Sequence, residues 1–175
     1  TACQFLEGMK VVHRALMARN VLVGKDHREI KLTGMDSLRD VFSTDEYVKT
    51  SKVKDSQIHI QWLAPECIQD LTFSGKSDIW SFGVLLWEVF SFGKAPFGAF
   101  KATEIAREIA AGRRLDRTDN CPPEMFDEMS KCWLKEPMSR PTFADLQGGI
   151  NLLLLIDGDV LRARVNAAKH VAASA

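Results

Sequence analysis

Side chains able to act as nucleophiles, metal ligands or acid–base groups are thinly spread along this chain. The four cysteines, Cys3, Cys67, Cys121 and Cys132, lie far apart with no CxxC pair, and the histidine nearest Cys3 is His13. That spacing argues against a zinc site or a disulfide framework and fits a reducing compartment. His13-Arg14 is a basic dipeptide after two valines, Ala64-Pro65-Glu66 reads as a turn, and Arg140-Pro141 reads as a helix start. Tyr47, the only tyrosine, follows Asp45 and Glu46. Taken one at a time, none of these specifies a reaction. Lys plus Arg and Asp plus Glu are both 23, so the formal net charge is zero. No bulk electrostatic attraction to nucleic acid or to an anionic membrane follows, and neither is expected as a partner.

The elements that must position these residues divide the chain into an irregular first half and a helical second half. Ala2 to Lys10 has the look of a short helix. Val21-Leu22-Val23 and Ile30-Lys31-Leu32 are β-prone runs around a polar stretch, which predicts a hairpin with a long loop. Ser37 to Ser56 is polar and without period, so it is expected to be a long loop. Between Asp78 and Phe90, apolar residues cover every face, as in a helix at the centre of a domain, with Ser77 as the expected N-cap. Three more helices are predicted, over Lys101–Ala111, Pro123–Lys135 and Thr142–Ile156. The last opens on Thr142-x-x-Asp145, a capping-box pattern. The longest aliphatic run, Leu152 to Ile156, is far too short to span a bilayer. No targeting segment is visible. The chain opens on Thr1, which suggests an excerpt of a longer product.

The order of the motifs carries more than any one of them. His13-Arg14-Ala15-Leu16-Met17-Ala18-Arg19-Asn20 resembles the protein kinase catalytic loop H-R-D-L-x-x-x-N. Ala64-Pro65-Glu66 resembles the A-P-E that closes an activation segment. Ser77-Asp78-Ile79-Trp80-Ser81-Phe82-Gly83 is similar to the central helix of that family. Cys132-Trp133, Pro137 and Arg140-Pro141-Thr142-Phe143 resemble the last block of tyrosine kinases. Ala18-Arg19 before Asn20, and Gln61-Trp62 before Ala64, are on the tyrosine-kinase side, and Arg39 to Tyr47 looks receptor-type. The resemblance runs from about Ala2 to Ile150. It implies a mainly α (α+β) fold: a kinase-like C-terminal lobe, a helical bundle with a short β-hairpin. Residues 1–156 would form that lobe and 157–175 a tail. Nothing resembles the family's N-lobe, with its Gly-rich loop and V-A-I-K lysine, and the junction Gly8–Val12 looks short by one to two helical turns.

The departures from the family bear on chemistry. The catalytic-loop aspartate, which in the family accepts the substrate hydroxyl proton, is replaced by Ala15. Aligned without a gap, D-F-G reads Gly34-Met35-Asp36, so the Mg²⁺-holding aspartate is replaced by Gly34. Asn20 keeps the second metal-ligand position as a vestige, since one neutral oxygen binds Mg²⁺ poorly. The family would use ATP and Mg²⁺; for this chain no catalytic residue, metal or cofactor is expected. The resemblance further implies a buried ion pair between Glu66 and Arg140. It implies a bond from Asp78 to the catalytic-loop backbone, and a regulatory pairing of Arg14 with phosphorylated Tyr47.

The main expectation is therefore a pseudokinase-type fragment that serves as an interaction surface. It would be cytoplasmic, as the intracellular part of a receptor is, with protein partners that include an active kinase acting on Tyr47. Two rivals remain open at this point: part of an active ATP-dependent tyrosine kinase whose N-lobe lies outside the chain, and an unstable relic without function.

Overall fold

The computed structural model describes residues 2–26, 29–34, 39–40, 48–49 and 59–155. The chain opens with α1 (Ala2–Gly8), which stops early. Lys10 takes a left-handed φ of 52° and turns the backbone into β1 (Val11–Val12). A 3-10 turn over Ala18–Asn20 leads to β2 (Val21–Val23), and β3 (Ile30–Leu32) returns antiparallel with Val21 opposite Leu32. This is the hairpin expected from the two β-prone runs.

The long polar segment departs from the expected plain loop at two points. β4 (Arg39–Asp40) pairs with β1, and β5 (Val48–Lys49) pairs with β6 (Thr72–Phe73). Backbone pairing of two residues needs no apolar alternation, so periodicity could not reveal these strands.

The helical half is organised around α3 (Gly75–Phe90). Its N-cap is Ser74 rather than Ser77. The Ser74 hydroxyl accepts from Ser77 N at 3.2 Å while Ser77 Oγ accepts from Ser74 N at 2.9 Å. Ser77 is thus the far partner of a reciprocal cap, which starts the helix three residues before Asp78. Ile79, Trp80 and Val84 are buried at the centre of the core.

A helix α2 (Pro65–Asp70) lies where a turn was expected after Ala64. Pro65 occupies its first turn, where a missing N–H costs nothing. α5 (Pro123–Cys132) packs directly on α3, α6 (143–155) meets it through the edge-to-face rings of Phe82 and Phe143, and α4 (Ala102–Ala110) packs on α2 and the 3-10 turn Ile60–Trp62. α5 ends at Cys132, three residues short of the predicted end. At the start of α6, Thr142 N donates to Asp145 Oδ2 at 2.9 Å and Asp145 N donates to Thr142 Oγ1 at 3.1 Å. Glu7 of α1 accepts from Phe143 N at 3.2 Å and ties the first helix to the last.

Gly83 sets the approach of α3 to α5. A Cβ there would stand 2.7 Å from both Cys132 Cβ and Trp133 Nε1. Among the described residues, no helix is long and apolar enough to cross a membrane.

Candidate functional site

The site is the loop from His13 to Asn20, and α3 holds it through one face. Residues 78, 81 and 88 are spaced by three and seven, which brings them to the same side of the helix. Asp78 is the first anchor. Its Oδ2 accepts from His13 N at 2.6 Å and its Oδ1 from Arg14 N at 2.8 Å. Arg14 adopts a left-handed φ of 69°. The Asp78 carboxyl is fully enclosed. Burial pushes its pKa up to about 7, against the downward pull of the two backbone donors and of the Arg14 charge.

His13 is completely buried and joins the loop to the segment before Gly34. Its Nε2 lies 2.9 Å from Thr33 O, and its Nδ1 accepts from Ala15 N at 3.2 Å. A carbonyl on one nitrogen and an N–H on the other admit only the neutral ring with the proton on Nε2. Burial holds the pKa of His13 below its ordinary value, in agreement with that assignment.

Glu88 is the second anchor, and sequence reading missed it. Its Oε2 accepts from Ala18 N at 2.9 Å and from Trp62 Nε1 at 2.8 Å. Ser81 Oγ donates to Trp62 O at 2.7 Å. One carboxylate thus ties the catalytic-loop position to the segment ahead of α2. A signal was present: Glu88 is the lone carboxylate in the apolar run from Ile79 to Phe90, and buried acids are almost always partnered.

Glu66 and Arg140, 74 residues apart, meet as a bidentate pair. Nη1 donates to Oε1 at 2.6 Å and Nη2 to Oε2 at 2.9 Å. The Arg140 side chain is fully buried and Glu66 nearly so. The remaining Arg140 donors reach Leu134 O, Lys76 O and Lys135 O, so every N–H of the guanidinium is spent. Its carbon also lies 5.1 Å from the centre of the Trp80 ring.

At the positions where the resemblance puts chemistry, the arrangement is different. Ala15 offers a methyl group. Gly34 has a φ of 86° and no side chain. Asn20 spends its amide N–H on Ala15 O at 2.8 Å, and Thr33 N donates to Asn20 O at 2.8 Å. A Cβ built on Gly34 would lie 2.7 Å from Asn20 Nδ2. A side chain at this position would therefore have to displace the Asn20 amide. One neutral oxygen, Asn20 Oδ1, is what remains, and this set does not fit Mg²⁺, which is held through carboxylates and phosphates. Asp36 and Tyr47 lie outside the described residues. Among those described, no group of acids, histidines and cysteines could hold a metal ion. Burial pushes the Cys67 and Cys132 thiols up to about 12 and those of Cys3 and Cys121 up to about 11, which removes them as nucleophiles.

Arg14 lies with its guanidinium carbon 4.3 Å from the centre of the Phe73 ring. Phe73 pairs with Val48, the residue after Tyr47.

The family described as protein tyrosine and serine/threonine kinase matches residues 1–150. The chain is 37% identical over 154 residues to the mouse protein named proto-oncogene tyrosine-protein kinase ROS, an alignment that covers 86% of this chain and 6% of the relative. It is 38% identical over 152 residues to vascular endothelial growth factor receptor 2 of Coturnix japonica, covering 86% and 11% respectively. Against the tyrosine-protein kinase transforming protein ros of UR2 avian sarcoma virus, identity is 36% over 150 residues, with 83% and 37% covered. The chain thus spans well under half the length of these relatives.

Proposed function

The chain belongs to the protein tyrosine and serine/threonine kinase family, and from that premise we propose that it is a member that transfers no phosphate and acts as a protein interaction module. Phosphoryl transfer in this family asks for a carboxylate that orients the attacking hydroxyl and a second one that holds Mg²⁺ on the nucleotide. Ala15 and Gly34 supply neither. The losses compound, because positioning alone cannot replace the charge of the metal at the transferred group.

The observation that carries this reading is the lack of a carboxylate at both positions, Ala15 ending in a methyl and Gly34 having no side chain, with the Asn20 amide standing against Gly34. A merely truncated ligand would leave a gap that a nearby acid or water could fill. Here the Asn20 amide stands against Gly34 and donates to Ala15 O. The parts that do not depend on chemistry keep their bonds: Asp78 and Glu88 to the loop, Glu66 to Arg140. That combination, an anchored loop without reactive groups, suits a surface that partners recognise. The partners would be proteins, and the chain would work on the cytoplasmic side of a receptor, as the receptor among its relatives suggests.

Mn²⁺ electron paramagnetic resonance tests the metal claim without any need for turnover. With an excess of ATP, the spectrum of Mn²⁺ is expected to be the same with and without the protein. A stoichiometric protein-bound signal that disappears in Asn20→Ala would overturn the proposal.

Tyr47 enters the same reading as a regulatory position for an active kinase acting in trans. Val48 pairs with Phe73, and the Phe73 ring carries the Arg14 guanidinium. A phosphate on Tyr47 would carry about −1.5 to −2 charge and find a cation close to its backbone neighbour.

A further inference from the structure

An open pocket of about 560 Å³ lies between the end of α4 and the first turn of α5. Arg113, Arg114 and Arg117, three arginines within five residues, line it together with Glu108, Asp116 and the ring of Phe126. It shares no lining residue with the loop from His13 to Asn20.

The charges in this pocket are not matched. Glu108 accepts from Arg113 Nε at 2.9 Å and stands 3.6 Å from Arg107 Nη2, so its charge is already shared. Among the described residues, neither Arg114 nor Arg117 forms an ion pair with Asp116 or with any other acid. Both are nevertheless held in place. Arg114 Nε donates to Trp133 O at 2.8 Å and Nη1 to Arg113 O at 2.8 Å, and its guanidinium carbon lies 4.6 Å from the centre of the Trp80 ring. Its Nη2 makes no hydrogen bond among the described residues and is not shut away from solvent. Arg117 Nη1 donates to Cys121 O at 2.8 Å, which leaves its Nε and Nη2. Burial and the charge of Arg140 hold the Arg114 pKa below its ordinary value, as befits a cation with no counter-charge beside it.

Two guanidiniums fixed in advance, with donors still to give, suit a phosphate or carboxylate, because little side-chain freedom is left to lose on binding. The wall narrows the choice. Phe126 packs edge-to-face on Trp133, ring centres 6.1 Å apart, and sets an aromatic surface beside the arginines. Arg113, Asp116 and Arg117 are exposed at the rim, so the pocket suits a group that projects from a larger molecule more than a free one that must be enclosed.

We propose that this pocket binds a phosphorylated tyrosine side chain of a protein partner, with the phosphate on Arg114 and Arg117 and the phenyl ring against Phe126. An aromatic ring with about −1.5 to −2 charge at its tip matches an aromatic wall beside unpaired cations. Phosphoserine would bring the charge without the ring. Asp116 opposes any anion here, with the two unpaired arginines against it. Binding at this pocket does not depend on whether the chain transfers phosphate, so it stands or falls apart from the reading of Ala15 and Gly34.

Fluorescence anisotropy of a labelled peptide, one phosphotyrosine among glycines and serines, titrated with the full chain, tests the proposal. Saturable binding is expected, weaker by about tenfold or more in Arg117→Ala. It should be unchanged in Lys131→Ala, which removes a positive charge from α5 outside the pocket. Arg117→Lys keeps the charge but not the planar fork, and should lose part of the affinity; it also guards against an alanine variant that fails to fold. Absence of saturable binding would overturn the proposal, as would equal binding of the unphosphorylated or the phosphoserine peptide. Tighter binding of inorganic phosphate or AMP, or an affinity untouched by both Arg117 variants, would overturn it as well.

Discussion

Asn20 Nδ2 stands 2.7 Å from the point where a side chain on Gly34 would begin. Real Cβ atoms do not sit so close to a neighbour, so the two positions are coupled. Gly34→Ala should destabilise the chain by about 1–3 kcal/mol, from crowding and from the left-handed φ that alanine resists. In an Asn20→Ala background the crowding is gone and the strain remains, so the same substitution should cost less. Urea unfolding of the four proteins checks this; identical costs in both backgrounds would mean that Asn20 does not occupy the Gly34 position.

Arg140 spends all its donors inside the fold, which makes its partner hard to replace. Glu66→Ala or Arg140→Ala should each cost about 3–5 kcal/mol, because each strands a buried charge. The double variant should cost clearly less than the sum of the two. Additive effects below about 0.5 kcal/mol would place the pair in solvent instead.

Asp78 gives a pH dependence of unusual sign. Its folded pKa of about 7 lies above the ordinary 3.8, so the folded state holds the extra proton. The stability it contributes is fully present below about pH 4 and is lost as pH rises through about 7, with a slope of at most about 1.4 kcal/mol per pH unit. Asp78→Asn keeps one acceptor, turns an amide toward the other backbone N–H, and removes the titration. The stability of the original chain relative to this variant should therefore shrink between pH 4 and pH 7.5. A difference that grows over that interval would show that Asp78 is held below its ordinary pKa.

The regulatory reading of Tyr47 predicts a change in protease sensitivity. Chain phosphorylated by another kinase should resist cleavage between Phe42 and Lys54, and Arg14→Ala should abolish the protection. Equal digestion of phosphorylated and unmodified chain would leave Tyr47 without a switching role.

How much of this was legible in the sequence follows from the range of each interaction. α3 announces itself through apolar spacing, although its cap lies at Ser74 rather than Ser77, and α6 through the local Thr142–Asp145 cap. The β2–β3 hairpin does so because its strands are near neighbours. α2 was hidden because Pro65 signals a turn and a first helical turn alike. β4, β5 and β6 were hidden because two paired residues leave no pattern. The site divides in the same way. Ala15 and Gly34 stand out only against the motif around them, and nothing local joins Glu66 to Arg140 across 74 residues. Glu88 was visible as an acid in an apolar helix, but its partners Ala18 and Trp62 come from elsewhere in the chain. The approach of the Asn20 amide to Gly34 depends on a distance between two loops, which only the fold can supply.

The most direct measurement is phosphoryl transfer itself. The purified chain, incubated with radiolabelled ATP, Mg²⁺ or Mn²⁺ and a tyrosine-containing polymer, should transfer no more label than a protein-free control. Ala15→Asp alone should change nothing, because a restored base would still have no carboxylate at Gly34 to hold a metal. Transfer above the control that is abolished by substituting a residue of this chain, Asn20 first, would contradict the account.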